Sequence, residues 1–460
     1  MTTKTLAALA AALPCNPDHL RADQVTALLA QFVQPLSDGE HNHESVGIFE
    51  ALGRVLARDV ISPLNVPPHD NSAMDGYALA GSALVAGEAL TLRVVGTVLA
   101  GATWSAPIHA GECLKIMTGA AMPAGLDTVV PQELAQSSAA SGLHHITIPA
   151  NTLRQGDHCR TTGEDLRQGS VALQRGALLT PAALGLLASL GLASAVVVRR
   201  LRVAYFSTGN EILSLGEAPR PGAVYDSNRY TLFGLLTRLG AQVIDMGVVP
   251  DEPTQLRAAL LQAAQQADAI LTSGGASAGE ADHLRSTLAP LGDAAFWRIA
   301  MRPGRPLAVG RIQHATTAEI TVKTASSPID TRSSSYQNNH LLSANGPLLF
   351  GLPGNPVAAM VSFLAFVRPA LLRLMGSSAA PAPLLRASCT EALRKKPGRT
   401  EYQRAWVSTA ADGTLQVRTT GNQGSGVLSS MVQANGLLVL PHDQGDVAVG
   451  DTVSVMLLEG

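Results

Sequence analysis

Residues 202–282 contain the pattern that decides the fold of the largest part of the chain. The segment opens with RVAYFSTGNE (Arg202–Glu211) and closes with AILTSGGASAGEAD (Ala269–Asp282), each an apolar run followed by a polar loop. Between them, the spacing of apolar residues predicts one strand and two helices, over Val243–Val249, Asn228–Leu239 and Thr254–Gln266. Strands that alternate with helices of about a dozen residues are typical of a parallel, doubly wound α/β sheet. Ligands bind such sheets at the carboxyl ends of the strands, where both polar loops are expected.

Outward from this domain the pattern changes in both directions. Residues 78–164 contain short alternating runs such as Leu90–Val98, which predict a β-rich region. Before that region, Asp23 is expected to cap a helix that runs through Phe32, and Glu44–Leu56 has apolar residues at helical spacing. Towards the C-terminus, apolar runs separated by Gly-Asp turns predict a small β-barrel or sandwich domain.

The composition argues against several classes of protein. The chain has 460 residues, 46 % of them hydrophobic and 15 % charged, which argues against extensive disorder. Lys+Arg total 33 and Asp+Glu total 35, a net charge of −2, so no polycationic surface for duplex nucleic acid is expected. Only five of the cations are lysines, so arginine supplies most of the positive charge.

Neither a zinc site nor a membrane span is expected. The cysteines form no CxxC pair, which argues against zinc and against a disulfide framework and suits a reducing compartment; they are Cys15, Cys113, Cys159 and Cys389. The uncharged stretch Gly176–Val198 is divided by a helix start at Thr180-Pro181 and a stop at Gly191, and Gly346–Val367 is broken by prolines. We therefore expect a cytoplasmic protein.

The turn Ser273–Asp282 is the strongest local signal for binding. A glycine-rich turn between a strand and a helix presents backbone N–H groups to an anion, and the helix N-terminus adds a partial positive charge. Asp282 cannot bind phosphate itself and is a candidate for Mg²⁺ or for an N–H donor of a ligand. A plain left-handed turn with Asp282 as an exposed first-turn acid is an equally good interpretation of this stretch alone.

Four acidic residues are expected at the same edge of the sheet: Glu211, Asp226, Asp251 and Asp282. Taken alone, Asp251 is better interpreted as the cap of the helix that begins near Thr254. The four together are too many for capping, and Mg²⁺ prefers carboxylate oxygens, waters and substrate phosphates as ligands. A hard-cation site is therefore predicted at this edge.

Two further segments suggest anion binding. Phe296–Pro306 contains three arginines whose guanidinium groups suit tetrahedral oxyanions, although a solvated basic strand edge is the alternative. The turn Leu352–Pro356 (LPGNP) is either a second anion site lined by N–H groups or a tight connector before a helix. Between these segments, residues 311–345 are roughly half Ser, Thr, Asn or Gln and are predicted to be an insertion that forms a mobile surface loop.

Walker A, GxGxxG, GxSxG and HExxH motifs are missing, which leaves kinases, dehydrogenases, esterases and zinc proteases poorly supported. Ten stretches, in order along nearly the whole chain, resemble instead the molybdopterin molybdotransferase family, the molybdenum insertases of molybdenum-cofactor synthesis. They are DNSAMDGYA (Asp70–Ala78), IMTGAAMP (Ile116–Pro123), GDHCRTTGED (Gly156–Asp165), FSTGNE (Phe206–Glu211), YDSN (Tyr225–Asn228), SGGASAGEAD (Ser273–Asp282), PGRP (Pro303–Pro306), GLPGNP (Gly351–Pro356), PGRTEYQR (Pro397–Arg404) and GNQGS (Gly421–Ser425).

The resemblance implies a chain of four domains that forms an elongated homodimer. The expected units are a helical hinge and dimerisation domain (1–62 and 165–195), an inserted β-rich domain (63–164), a molybdopterin-binding α/β domain (196–376) and a C-terminal β-barrel (377–460). The active site is implied to lie in a cleft between the α/β domain of one subunit and domains of the other.

The implied reaction is the insertion of molybdate into the dithiolene of adenylylated molybdopterin. It requires Mg²⁺ and releases AMP and the finished molybdenum cofactor. Adenylylated molybdopterin is then a substrate, and a molybdopterin adenylyltransferase and apo-molybdoenzymes are candidate partners. Neither a nucleic acid nor a membrane is implied as a partner.

The resemblance also implies residue roles, motif by motif. The catalytic set is Asp75, Thr118, Asp165, Glu211, Asp251 and Asp282, and the last three are the implied Mg²⁺ ligands. The residues expected to bind the pterin substrate are Ser207, Thr208, Gly209, Asp226, Ser273, Gly274, Gly275, Ser277, Gly279, Pro353, Gly354, Asn355 and Pro356. Those expected to hold molybdate are Arg298, Arg302, Arg305, Arg404 and Ser425.

The chain departs from the family pattern in places, and two other functions are open. Family members often carry lysine at Arg298, Arg302 and Arg305 and asparagine at His158; the arginines keep the charge but cannot deprotonate. The 311–345 insertion is a third departure.

A molybdopterin adenylyltransferase is similar to the α/β domain alone, and a non-catalytic scaffold is the alternative from another class. The extra domains argue against the first, and the retained cleft acids argue against the second.

Overall fold

The computed structural model describes residues 6–11, 19–36, 39–140, 143–274, 283–312, 346–381 and 383–458. These residues form three six-stranded sheets, several two-stranded pairs and a set of helices. The predicted fold class is confirmed: an α/β domain, an inserted β-rich domain, a hinge that contains helices, and a C-terminal barrel. The exact domain boundaries stay a prediction.

The α/β domain is built on a six-stranded sheet. Across the sheet the strands are Gln242–Val249, Arg202–Thr208, Ala269–Ser273, Leu348–Leu352, Pro306–Ile312 and Gly292–Arg298. Its helices are Ser227–Arg238, Pro253–Gln266, His283–Leu288, Pro356–Ser362 and Arg368–Leu374, the last two joined by a π-helical turn over Phe363–Val367. A short parallel pair, Ile212–Leu213 with Val224–Tyr225, precedes the first helix.

Alternate residues of the strand Arg202–Thr208 explain why helices cover both faces. Val203 and Tyr205 lie in one hydrophobic cluster, whereas Ala204 and Phe206 lie in a separate cluster on the opposite face. A strand buried on both faces has a continuous apolar sequence and needs helices on each side. The predicted strand and helix bounds in this domain agree with the structure to within a few residues.

The sheet is mixed rather than wholly parallel, which corrects the prediction. Pro306–Ile312 runs antiparallel to both of its neighbours, Leu348–Leu352 and Gly292–Arg298, while the other strands share one direction. As a result, the basic segment that precedes Pro306 lies at the same edge as the carboxyl ends of the parallel strands. The 311–345 insertion joins two of these strands, and its residues 313–345 lie outside the described part of the chain.

The inserted β-rich domain has its own sheet. Across it the strands are Thr128–Pro131, Gly76–Leu79, Glu112–Ile116, Leu90–Val98, Leu143–Ile148 and Gln136–Ala140. Asn71–Ser72 pairs with Cys159–Arg160 to one side, and Gly81–Ala83 and Gln132–Leu134 are short 3-10 turns. The predicted strand Leu90–Val98 is confirmed at both ends.

The hinge region combines helices with short strand pairs. The helices are Leu6–Ala11, Ala22–Phe32 and Pro181–Ser189, with 3-10 turns at Glu40–Asn42 and Ile48–Ala51. The strands His43–Gly47 and Ser194–Val198 pair with each other, as do Val60–Ile61 and Val171–Leu173. As predicted, Thr180 caps the third helix: its hydroxyl accepts a hydrogen bond from Ala183 N–H at 3.3 Å.

Two predictions for the hinge region were wrong. Glu44–Leu56 is not helical, because its first residues pair with Ser194–Val198, a partner distant in sequence that local spacing cannot reveal. Asp23 is not the N-cap; Arg21 occupies that position, and its backbone N–H is bound by the side chain of Gln24. Asp23 lies in the first turn, where its carboxylate suits the helix dipole.

The C-terminal domain is a closed five-stranded barrel. Around it run Thr400–Thr409, Leu415–Thr419, Leu385–Cys389, Thr452–Leu457 and Gly436–Leu440, and the last strand pairs again with the first. A sixth strand, Met301–Arg302, comes from the α/β domain and pairs in parallel with Thr400–Glu401. A short helix, Ser429–Val432, completes the domain.

One helical run has the length and apolar composition of a membrane span. Pro356–Leu374 has 19 residues and a mean hydropathy of 1.7, and 61 % of that window is buried inside the fold. The run packs against the sheet of the α/β domain through residues such as Val357, Val361 and Phe366, as a core helix of a globular domain does.

A buried ion pair within the α/β domain is joined to the hinge region through Asn42. The carboxylate of Asp268, just before a central strand, accepts hydrogen bonds from Arg199 Nη1 and Nη2, both at 2.7 Å, and from Arg202 N–H at 2.8 Å. Arg199 Nε in turn donates to Asn42 Oδ1 at 3.0 Å. Because the Asp268 side chain is almost fully buried, its removal leaves a guanidinium without its charge partner.

We expect Asp268→Ala to lower the free energy of unfolding by about 3–5 kcal/mol, the usual cost of breaking a buried pair by removing one partner. Urea unfolding followed by circular dichroism measures the change. Asp443→Ala is the matched control, because Asp443 pairs with Arg21 in an exposed ion pair whose loss costs about 0–1 kcal/mol. Equal losses in the two variants would contradict this account.

Candidate functional site

Three strands of the α/β sheet end close together around Gly274. The backbone N–H of Gly274 donates to Leu352 O at 3.2 Å. A Cβ on Gly274 would lie 2.1 Å from Thr208 O, and its φ of +90° is strained for any other residue. A Cβ on Gly354 would lie 3.8 Å from Gly274 Cα. The predicted pterin-binding residues Thr208, Gly274 and Gly354 are therefore brought together at one edge.

Three buried hydroxyl groups form a ring just beneath this edge. Tyr205 Oη lies 2.7 Å from Ser207 Oγ and 2.6 Å from Ser273 Oγ, and the two serine oxygens are 3.2 Å apart. Burial raises the pKa of Tyr205, so the phenol stays protonated and can donate within the ring. The ring holds the two predicted residues Ser207 and Ser273 in place. Tyr205 was not predicted as a site residue, because in the sequence it looks like an ordinary core residue.

Asp226 is the cap of the helix Ser227–Arg238, the role that the sequence alone suggested for Asp251. Its Oδ1 accepts a hydrogen bond from Arg229 N–H at 3.0 Å. Next to it, Asn228 Nδ2 donates to Gly354 O at 2.7 Å, which joins this helix to the LPGNP turn. Asn228 was not predicted as a site residue, although it lies within the YDSN motif.

Asp251 does not cap its helix, since the helix begins at Pro253 with Glu252 at the cap. Its Oδ1 is buried and has no hydrogen-bond partner among the described residues. Burial raises the pKa of Asp251, the nearby His283 lowers it, and the nearby Glu211 raises it further. The backbone N–H of Asp251 donates to Asn210 Oδ1 at 3.4 Å, so the loops that carry Asp251 and Glu211 meet. The role of these two acids as metal ligands stays a prediction.

The rest of the predicted carboxylate and glycine set lies outside the described residues: Gly275, Ser277, Gly279 and Asp282. Within the described ranges no group of three or more His, Cys, Asp or Glu side chains forms a metal-binding cluster. The chemistry of Asp251 nevertheless fits a cation, because a buried carboxylate oxygen without a donor, next to another acid, is stabilised by positive charge.

The basic segment lies between three parts of the molecule. Arg298 O accepts from Leu20 N–H at 3.2 Å, and Ala300 O accepts from Thr400 N–H at 2.8 Å. The side chains of Arg298, Arg302 and Arg305 are exposed and form no ion pair within the part of the chain that the structure describes. Three unneutralised guanidinium groups are thus held at the edge of the sheet.

Arg404 is the most deeply buried of the predicted anion-binding residues, with 1 % of its surface exposed. Its Nε donates to Ser430 Oγ at 3.0 Å, and its Nη2 donates to Asn422 O at 3.1 Å and Gly424 O at 2.9 Å. Burial, and then the charge of Arg302, lower the pKa of Arg404 to about 10. Among the described residues no carboxylate pairs with Arg404, and the charge of Arg302 adds to the positive potential at this position.

The loop that Arg404 holds also contacts the LPGNP turn. Ser425 O accepts a hydrogen bond from Val357 N–H at 3.1 Å, in the first turn of the helix that begins at Pro356. Pro353 is buried, whereas Gly354 and Asn355 are exposed at the rim. The turn is therefore both a connector and part of the edge at which Asn228 and Gly274 lie.

The β-rich domain carries a second set of predicted residues. Thr118 N–H and Oγ1 donate to Asp75 Oδ1 at 2.7 and 2.8 Å, and these bonds hold the pKa of Asp75 below its ordinary value. Asp75, Thr118 and Asp165 are all exposed. Among the described residues, no strand pairing or backbone hydrogen bond links residues 63–164 to residues 196–376.

Comparisons with known proteins match most of the chain to one family. Residues 20–191 match the profile of the MoeA N-terminal region (domain I and II), and residues 386–458 match the MoeA C-terminal region (domain IV). Residues 204–373 match a probable molybdopterin binding domain. The carboxyl edge described above lies within this third match.

Relatives and solved structures agree. The molybdopterin molybdenumtransferase of Haemophilus influenzae is 36 % identical over 90 % of this chain and 93 % of its own length, and that of Bacillus subtilis is 31 % identical over 90 % of each. Two crystal structures of a molybdopterin biosynthesis MoeA protein from Pyrococcus horikoshii cover 96 % of this chain and 100 % of their own; one is 27 % identical with a TM-score of 0.66, the other 23 % identical with a TM-score of 0.73. The chain therefore belongs to the MoeA family of molybdopterin molybdenumtransferases.

Proposed function

We propose that this protein inserts molybdate into adenylylated molybdopterin and releases AMP and the finished molybdenum cofactor. The observation that carries the proposal is the buried guanidinium of Arg404, which forms no ion pair among the described residues, together with the exposed Arg302, whose charge adds to burial in lowering the pKa of Arg404. A buried cation without a counter-charge is costly unless an anion binds beside it. Molybdate, a tetrahedral dianion, suits this pair because guanidinium groups recognise such oxyanions.

The pterin substrate is assigned to the carboxyl edge around Gly274. There the ends of three strands meet above the buried hydroxyl ring, and ligands of open α/β sheets bind at this position. The basic segment 298–305 borders the same edge, so molybdate can reach a substrate that is bound there. The relatives' names, which specify molybdopterin and a molybdenum transfer, support this assignment.

Glu211 and Asp251 are the proposed Mg²⁺ ligands, together with Asp282 on the evidence of its motif alone. The unpartnered Oδ1 of Asp251 beside Glu211 supports this choice. Bound Mg²⁺ would stabilise negative charge on the phosphates of the adenylylated substrate. The protein's own part is to orient these phosphates with the LPGNP turn, whose Gly354 and Asn355 are exposed, and with the arginines of the basic segment.

A homodimer would complete the site. Asp75, Thr118 and Asp165 are exposed, and among the described residues no strand pairing or backbone hydrogen bond joins residues 63–164 to the α/β domain, so we propose that these three residues act on the α/β edge of a second subunit. A cytoplasmic location, and contacts with a molybdopterin adenylyltransferase and apo-molybdoenzymes, are part of the same proposal.

The proposal is tested by mixing the purified protein with adenylylated molybdopterin, Mg²⁺ and molybdate, and following AMP release and the reconstitution of a molybdenum-free apoenzyme. We expect AMP only when molybdate is present, with active enzyme recovered and no ATP consumed. ATP consumption would indicate an adenylyltransferase. Tight pterin binding without molybdate-dependent AMP release would contradict catalysis and indicate a carrier or scaffold.

We expect Arg302→Ala to raise the molybdate concentration for half-maximal AMP release by about tenfold, the effect of losing one charge-assisted hydrogen bond. Arg302→Lys keeps the charge and should retain most of the affinity. Arg394→Ala, which removes an exposed arginine from the C-terminal domain, is the control and should change nothing. An unchanged molybdate dependence in Arg302→Ala would rule out this role for Arg302.

Asp251→Asn should stabilise the protein at neutral pH and abolish Mg²⁺-dependent AMP release. Because the pKa of Asp251 is raised in the folded state, the ionised carboxylate costs stability at every pH above that raised pKa. This cost is absent below the pKa of the unfolded chain, so the variant gains thermal stability only as the pH rises through this range. Thermal unfolding across pH measures the gain.

The control for Asp251→Asn is Asp245→Asn, which removes a partly exposed carboxylate paired with Arg229. It should bring no gain in thermal stability at any pH. A loss of stability in Asp251→Asn at neutral pH would show that the carboxylate has a stabilising partner, contrary to its assignment as a metal ligand.

A further inference from the structure

Three buried side chains at the α/β edge each have one polar atom without a hydrogen-bond partner among the described residues. These atoms are Thr208 Oγ1, Asp226 Oδ2 and Asn228 Oδ1. The residues are 3 %, 4 % and 8 % exposed, respectively. Buried polar atoms in folded proteins are normally paired, so these three indicate a ligand that supplies the missing partners.

The free oxygens of Asp226 and Asn228 have fixed orientations because the second polar atom of each side chain is engaged. Asp226 Oδ1 accepts from Arg229 N–H at 3.0 Å, and Asn228 Nδ2 donates to Gly354 O at 2.7 Å. The bond to Gly354 also settles the amide orientation of Asn228, because its Nδ2 must face a carbonyl. Two hydrogen-bond acceptors two residues apart are thus held in place at the start of one helix.

The surroundings place these acceptors at the proposed pterin site. Thr208 lies against Gly274, and Gly354 lies beside Gly274 on its other side. Asn228, two residues after Asp226, donates to Gly354 O at 2.7 Å, which ties the helix start to the same place. Thr208, Gly274, Gly354 and the helix start therefore border one small region at the ends of three strands.

We propose that Asp226 Oδ2 and Asn228 Oδ1 accept hydrogen bonds from the 2-amino group and the adjacent ring N–H of the pterin, and so select the heterocycle of the substrate. This inference rests on the proposed function and deepens it. A 2-amino-4-oxo pyrimidine ring presents two N–H donors, one for each of these two acceptors. Adenine alternates an amino donor with a ring-nitrogen acceptor and matches less well.

The same atoms are unsuited to the anionic parts of the substrates. Phosphate and molybdate oxygens offer no donors and would be repelled by the Asp226 carboxylate. The edge is therefore divided between acceptors near Asp226 and cations near Arg302. A substrate with an N–H-bearing heterocycle and anionic groups can bind across both.

The test uses Asp226→Asn in the full-length protein, because asparagine caps a helix about as well as aspartate while its amide replaces the acceptor Oδ2 with a donor. The probes are pterin and lumazine, which differ at position 2, where lumazine has a carbonyl in place of the amino group. Both fluoresce, so fluorescence titration gives both dissociation constants.

We expect the unmodified protein to bind pterin about tenfold more tightly than lumazine. Asp226→Asn should cancel or reverse this preference, because it lowers the affinity for pterin and raises the affinity for lumazine. Asp245→Asn makes the same change in charge on the neighbouring strand and should leave both affinities unchanged. Thermal unfolding confirms that each variant is folded.

Equal binding of the two probes by the unmodified protein would overturn the inference without any variant. So would an equal loss of both affinities in Asp226→Asn, or a loss of Mg²⁺ affinity with the pterin preference intact, which would make Asp226 a metal ligand. The probes contain neither phosphate nor molybdenum. The pterin preference can therefore be lost in Asp226→Asn even if the unmodified protein shows no molybdate-dependent AMP release. That combination of results would reject the proposed function and keep this inference.

Discussion

The close approach of three strand ends at Gly274 is the constraint on which the site depends. Its backbone lies between Leu352 O and Thr208 O, with no room for a side chain. Beneath it the hydroxyl ring fixes Ser207 and Ser273, and two apolar cores hold the strands from both faces. The polar atoms at this edge are therefore positioned by the packed interior of the sheet rather than by flexible loops, which suits precise recognition of a small heterocycle.

The acidic and the basic residues at this edge come from different parts of the fold. The acceptors come from the helix start after Tyr225 and from the loop at Asp251, both inside the α/β domain. The cations come from a segment that belongs to the α/β chain but pairs with the barrel, and from Arg404 within the barrel. An oxyanion site that needs two domains and a heterocycle site that needs one can each keep its geometry when the other changes.

Local signals in the sequence were enough for much of the fold. The bounds of helix Ser227–Arg238 follow from its polar start and from Gly240, because capping is a short-range effect. Pairings between distant segments were not predictable. Glu44–Leu56 has helical spacing, but its first residues pair with Ser194–Val198, which local spacing does not show. The direction of Pro306–Ile312 was not predictable either, because buried strands have the same apolar pattern in both directions. At the site, motifs located the acids, but only the structure distinguished the capping Asp226 from the unpartnered Asp251. Asn228 and His283 were missed because each is the unremarked neighbour of a motif acid.

The pairing of the strand Met301–Arg302 affects the order in which the protein folds during its synthesis. Its pairing partner, Thr400–Glu401, is synthesised only after the whole α/β domain. Domains fold as units, N-terminal first, while the ribosome is still working. The heterocycle half of the edge can therefore form on the nascent chain before the barrel exists, whereas the arginine half takes shape only near chain completion. A truncated product would retain the α/β domain with its proposed pterin site but would lack the partner strand and the buried arginine of the proposed oxyanion site.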